Sequence, residues 1–145
     1  NGDVSRRLID PCCGVGTVLL EGVLAGYDIT GVEINSKIAE DARENLRYFN
    51  YKVNVIHGDI QDIDDNYDVS IIDLPYGNFS LTTDDNQLKI IRNAKRISNK
   101  IVLVSSVDIS DDILNENLEI IDQCKIGKNT KRDFIRYIWV CKVVD

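Results

Sequence analysis

Leu8-Ile9-Asp10-Pro11-Cys12-Cys13-Gly14-Val15-Gly16-Thr17 couples a short apolar strand to a loop with two glycines, and Thr17-Val18-Leu19-Leu20 then opens an apolar helix. Strand, Gly-x-Gly turn and helix in that order form the first half of a nucleotide-binding crossover, because glycine lets the backbone turn sharply and approach a ligand closely. A Gly-x-Gly pair alone fits an ordinary tight turn equally well, so the residues that follow decide.

They alternate between strand and helix patterns. Val18, Leu19, Val23 and Leu24 predict one helical face, closed by Gly26 where a helix C-terminus favours a left-handed residue. Asp28 to Glu33 reads as a second strand. Asn35 or Ser36 caps the next helix, whose Ile38, Ala42, Leu46 and Phe49 recur at helical spacing. Val53 to Ile56 is a third strand, and Gln61 to Asn66 is too short and acidic for more than a loop or single turn. Val69-Ser70-Ile71-Ile72 predicts a fourth strand buried on both faces. Leu88, Ile91, Ala94 and Ile97 mark a helix, Ile101 to Val104 a fifth strand, and Ile113-Leu114 a short helix before a strand at Leu118 to Ile121. Phe134 to Val143 is a last strand, joined to its predecessor by a link short enough for an antiparallel hairpin. The expected fold is α/β, a doubly wound, mostly parallel sheet with one antiparallel strand.

At 145 residues the chain is about one domain's worth, and we expect a single catalytic domain over 1–145, a piece of a longer chain because Asn1 stands where an initiator methionine would be. With 43% hydrophobic and 28% charged residues and no long apolar run, the expected compartment is the cytoplasm. Cys12, Cys13, Cys124 and Cys141 form no Cys-x-x-Cys pair and lack the histidines of a zinc site, so reduced, mostly buried thiols and no metal are expected. Seventeen basic residues against 24 acidic ones leave a net charge of −7, so a polyanion partner needs a local basic patch.

In a doubly wound sheet the ligand crevice lies at the carboxyl ends of the strands. Asp10, Glu33, Asp59 and Asp73 fall at four successive strand ends. Any one alone reads as a cap; together they point to a cleft. Glu33 lies about 20 residues beyond the glycines, the spacing at which an acid reaches a ribose diol. Both dinucleotide and adenosyl ligands satisfy it. Leu19 at the third glycine position and Asp10 before the loop disfavour a pyrophosphate and suit a ligand bearing an ammonium group, as S-adenosylmethionine does.

Asp73-Leu74-Pro75-Tyr76-Gly77 resembles the Asp/Asn-Pro-Pro-Tyr motif of methyltransferases that act on exocyclic amines of nucleic-acid bases. An amine whose lone pair is delocalised into a ring is a poor nucleophile, and acceptors at its two N–H groups favour the reactive tetrahedral nitrogen. Asp73 offers a carboxylate, Leu74 a carbonyl on a residue that the following Pro75 biases to an extended conformation, and Tyr76 a stacking face.

With these residues in view, the chain from Asp10 to Val143 resembles a class I S-adenosylmethionine-dependent methyltransferase. More narrowly, Asp10 to Thr17 with Glu21, Asp28 to Asn35, Gly58-Asp59-Ile60 and Asp73 to Gly77 are similar to the tRNA guanine-amine methyltransferases whose catalytic domain follows a THUMP domain. The resemblance implies a seven-stranded Rossmann-like sheet of order 3-2-1-4-5-7-6. It assigns to the cofactor Asp10, Cys13, Gly14, Gly16 and Thr17, whose loop holds the methionine part, Glu33 for the ribose, Ile34 for an adenine face, and Asp59 with the Ile60 amide for the adenine edge. The implied activity is methyl transfer to a base amine in RNA, guanine in tRNA foremost. Leu74 in place of the motif's first proline leaves the target base open. The upstream helix and RNA-binding domain of that family are absent from this stretch, as expected of a catalytic piece. DNA adenine, a small molecule, or a non-catalytic or nicotinamide-binding module are the alternatives.

Lys125, Lys128, Lys131, Arg132 and Arg136 cluster about the last hairpin link, which the topology puts on the cleft side. They are expected either to touch RNA phosphates or to keep an edge strand soluble.

Overall fold

A computed structural model of the chain describes residues 5–74, 85–128 and 134–144. Pro75 and Tyr76 of the proposed catalytic motif, and Lys131 and Arg132 of the basic cluster, lie outside the described residues.

The described elements run β1 (Arg7–Asp10), α1 (Thr17–Leu24), β2 (Asp28–Glu33), α2 (Ser36–Tyr48), β3 (Asn54–His57), a 3-10 turn (Ile60–Asp62), β4 (Tyr67–Asp73), α3 (Asp85–Ile97), β5 (Ser98–Ser105), α4 (Ser110–Asn115), β6 (Leu118–Lys128) and β7 (Phe134–Val143). The seven strands form one sheet of order β3-β2-β1-β4-β5-β7-β6. Neighbours from β3 to β5 pair in parallel, whereas β7 is antiparallel to both β5 and β6. β6 therefore runs with the first five strands and ends at the sheet's carboxyl edge.

Local chemistry sets most of these boundaries. Gly16, at φ 91°, occupies the N-cap of α1 in a left-handed conformation open to glycine at little cost. The Asn35 side chain accepts from Lys37 N at 3.0 Å and Ile38 N at 3.1 Å, which caps α2. Asp59 does the same for the 3-10 turn through Gln61 N at 3.0 Å.

Two cores lie on opposite faces of the sheet, and β1 serves both. Leu8 joins Leu19, Ile29, Ala42 and Leu46 under α1 and α2, while its neighbour Ile9 joins Ile72, Ile91, Ile101 and Trp139 under α3 and α4. Three expectations need correction. Leu24 and Phe49 are exposed; Leu19 carries the buried face of α1, Ala39 joins Ala42 and Leu46 on α2, and Phe49 stands past that helix's end. β4 is fully buried on one face only, because Val69 and Ile71 meet the smaller α1–α2 core and stay half-buried. Of the four thiols, Cys13 and Cys141 are buried but Cys12 and Cys124 are exposed. Among the described residues no helix is long and apolar enough to cross a membrane.

Candidate active site

The strand order turns at β1 and β4: β2 and β3 continue to one side of β1, β5 to the other side of β4. That switch point opens a crevice at the carboxyl ends, and the acids singled out in the sequence converge there.

Asp10 ends β1 with only 3% of its surface exposed. Its Oδ1 accepts from Cys12 N at 3.1 Å. Burial raises its pKa to about 7, partly opposed by that amide and reinforced by the charges of Asp73 and Glu33. Glu33 ends β2 and ties two turns together: Oε2 accepts from Gly14 N at 3.1 Å and Oε1 from Asn35 N at 2.9 Å. The glycine loop is also sewn to β2 by Cys13 N donating to Val32 O at 3.0 Å, and Gly58 N donating to Glu33 O at 3.0 Å draws in the end of β3. His57 stands exposed opposite Glu33 in the β2–β3 register.

Cys13 turns its side chain into the core. It packs on Gly31, where an added Cβ would lie 2.8 Å from Cys13 Sγ and 2.5 Å from Leu19 Cδ1. Gly31 thus lets the loop and α1 sit close against β2, a role sequence reasoning missed although an isolated glycine inside a strand is a signal of such an approach. Thr17, at the start of α1, is exposed. Cys12 is exposed on the cleft, yet the protein crowding its sulfur, and after that Asp10, Glu33 and Asp59, push its thiol up to about 12.

A cavity of about 330 Å³ extends from Pro11 and Cys12, just before the glycines, toward α3, and Glu33, Ile34, Asp59, Ile60, Lys89 and Ile90 line the rest of it. Ile34 is 69% exposed, an apolar face held open beside the Glu33 carboxylate. The Gln61 amide, and after it Lys89, hold Asp59 below the usual carboxylate range, so it stays an acceptor. Lys89 on α3 reaches Asp59 Oδ2 at 3.0 Å, a partner absent from the sequence reading because it arrives from 30 residues away. The donor set fits an adenosyl ligand: carboxylates for a diol and an amine, isoleucines for a base, and a buried acid on the side of the glycine loop for an ammonium.

Asp73 ends β4, exposed on the far side of the same crevice. Its carboxylate meets no hydrogen-bond donor among the described residues. Leu74 N donates to Val104 O at 2.9 Å, and the side chain is buried, so the residue is anchored to β5 just past the end of β4. On the hairpin, the Lys125 ammonium lies 5.1 Å from the centre of the Tyr137 ring, which stacks on Trp139 at 5.6 Å. Arg136 follows on β7, and Lys128 ends β6.

A family described as a methyltransferase domain matches residues 3–137. The chain is 34% identical over 89 residues to the tRNA (guanine(10)-N2)-dimethyltransferase of Methanothermobacter thermautotrophicus, a match covering 59% of this chain and 26% of that protein. It is 32% identical over 79 residues to the enzyme of the same name from Pyrococcus abyssi, covering 50% and 24%. The chain spans about a quarter of the length of these relatives. The crystal structure of magnesium protoporphyrin IX methyltransferase from Synechocystis PCC 6803, with bound S-adenosylmethionine, superposes with a TM-score of 0.72 at 15% identity, over 96% of this chain and 70% of that one.

Proposed function

This chain belongs to the S-adenosylmethionine-dependent methyltransferase family, and on that premise we propose that it methylates an exocyclic base amine in RNA, guanine in tRNA foremost. The observation that carries the reading is the exposed Asp73 carboxylate at the carboxyl end of β4, across the switch point from buried Asp10 and followed by Leu74-Pro75-Tyr76. The partial identity to tRNA guanine methyltransferases supports the same substrate class.

On this reading Asp10, Glu33, Ile34, Asp59 and Ile60 hold the cofactor, with the Gly14–Gly16 loop around its methionine part. The bound cofactor supplies an electrophilic methyl on a sulfonium. Asp73 and the Leu74 carbonyl accept the two N–H bonds of the target amine, which localises its lone pair and aims it into the crevice. Once methylated, the nitrogen is cationic and acidic and gives its proton to water, so no histidine is needed as a base. Tyr76 stacks on the extruded base, a contact that contributes roughly 1–3 kcal/mol. Lys125, Lys128, Lys131, Arg132 and Arg136 meet phosphates beside it, fixing position without reading sequence.

The test is transfer of radiolabelled methyl by the intact protein to bulk tRNA, followed by nucleoside analysis. Label in an N2-methylated guanosine is expected. Label in DNA adenine, or in no nucleic acid, would replace the substrate assigned here.

A further inference from the structure

Asp59 is held by more than its own turn. Its Oδ1 accepts from Gln61 N at 3.0 Å, which closes the 3-10 turn, and its Oδ2 accepts from Lys89 Nζ at 3.0 Å. Seven residues further along α3, Arg96 donates to the carbonyls of Ile60 at 3.3 Å and Gln61 at 3.1 Å. Positions seven apart lie on one face of a helix. One face of α3 therefore grips the turn at its cap and at its first two carbonyls. Lys89 also lines the cavity together with Asp59, Ile60 and Ile90, so the grip is applied at the ligand's end of the turn.

The Lys89 and Asp59 side chains are 45% and 21% exposed, and an ion pair so open to water contributes little to folding. Its consequence is geometric. A carboxylate free to rotate presents its lone pairs in many directions. One fixed through an amide on the first oxygen and an ammonium on the second presents its remaining lone pairs along set directions. Sequence reasoning passed over Lys89 because its partner lies across the fold.

We propose that Lys89 is a positioning residue for recognition of the cofactor's base: by fixing Asp59 it makes the pocket select a base edge that donates a hydrogen bond, the 6-amino group of adenine, over one that accepts, the 6-oxo group of hypoxanthine. The inference rests on the reading of Asp59 as the acceptor for that edge. Lys89 acts through Asp59 and takes no part in methyl transfer.

Calorimetry on the intact protein with S-adenosylhomocysteine and with its 6-oxo counterpart, S-inosylhomocysteine, tests it without catalysis. Wild type should bind the amino ligand at least about 10-fold more tightly, on the scale of one charged hydrogen bond. Lys89→Met should weaken that ligand about 10-fold while moving the 6-oxo ligand less than about 2-fold, and Lys89→Arg should restore most of the preference. In an Asp59→Asn background Lys89→Met should have no further effect, as residues acting through one contact are not additive. Unchanged or tighter binding of the amino ligand by Lys89→Met would overturn the proposal. So would an equal loss for both ligands without rescue by arginine, which would make Lys89 a brace for α3 and nothing more. Equal affinity of wild type for the two ligands would instead remove Asp59 as the base acceptor, and failure to bind either would remove the pocket; both outcomes are read on wild type, apart from the Lys89 variants.

Discussion

The acids on the two sides of the switch point are held in opposite ways. On the β1–β3 side, Asp10, Glu33 and Asp59 each accept at least one backbone amide of the turn that follows their own strand, and Glu33 also reaches across to the glycine loop. On the β4 side, Asp73 stands exposed at the strand's end. A carboxylate already engaged by amides is a rigid acceptor aligned before any ligand arrives, which suits one cofactor bound in every turnover. A carboxylate facing open solvent suits a substrate group that must enter, react and leave. On the function proposed above, the difference divides the crevice into a prebuilt cofactor half and an open substrate half, and four changes test the division.

The largest effect is expected from Glu33→Ala, which removes the acceptor proposed for the ribose and the link between the Gly14 and Asn35 amides. It should abolish detectable S-adenosylhomocysteine binding by calorimetry. Unchanged affinity would remove Glu33 from the cofactor half. Next comes Asp73→Ala, with a loss of at least about 100-fold in turnover on RNA, the scale of deleting one positioned hydrogen-bonding group. Cofactor affinity should be unmoved; a matching loss there would erase the boundary between the halves.

Asp10 gives a third, smaller effect on stability. Its pKa climbs from 3.8 to about 7 on folding, so between these values the folded chain retains a proton that the unfolded chain has lost. Ligand-free stability should therefore fall as pH rises from about 4 to 7, by at most about 1.4 kcal/mol per pH unit, and level off above. Asp10→Asn should flatten that slope in denaturant titrations at pH 5 and pH 8, while cofactor binding weakens. A slope identical to wild type would show that burial of this acid carries no cost. The smallest effect belongs to the hairpin. Replacing Lys128, Lys131 and Arg132 with glutamine should weaken RNA binding similarly across sequences and reduce the salt dependence by about one unit per lost phosphate contact, with cofactor affinity intact. An unaltered salt slope would assign these cations to solubility.

Much of the β1–β3 side of the crevice was legible before any coordinates. The glycine turn, the acid about 20 residues later and the Gly-Asp pair after β3 are short-range signals, each within reach of its own strand. The structure gathers Glu33, Ile34, Asp59 and Ile60 around one cavity. Burial of Cys13 was legible, but its packing against Gly31 was not, since a loop residue and a strand residue 18 positions apart meet only when β1 and β2 pair. The faces of α1 and α2 were read one position too far, to Leu24 and Phe49, because hydrophobic periodicity marks a stripe without saying where the helix stops covering the sheet.

By itself the sequence determined the order of elements, the doubly wound architecture and the placing of acids at strand ends. Side-chain periods of 2 and 3.6 and the turn chemistry of glycine and asparagine are written in neighbouring residues. The tertiary structure alone decided which donor each acid meets, how deeply Asp10 is buried, and that Lys89 and Arg96 close on the turn that carries Asp59. Desolvation and ion pairing depend on which elements a crossover brings side by side. That adjacency is a property of the packed sheet and is not present in any local stretch of the chain.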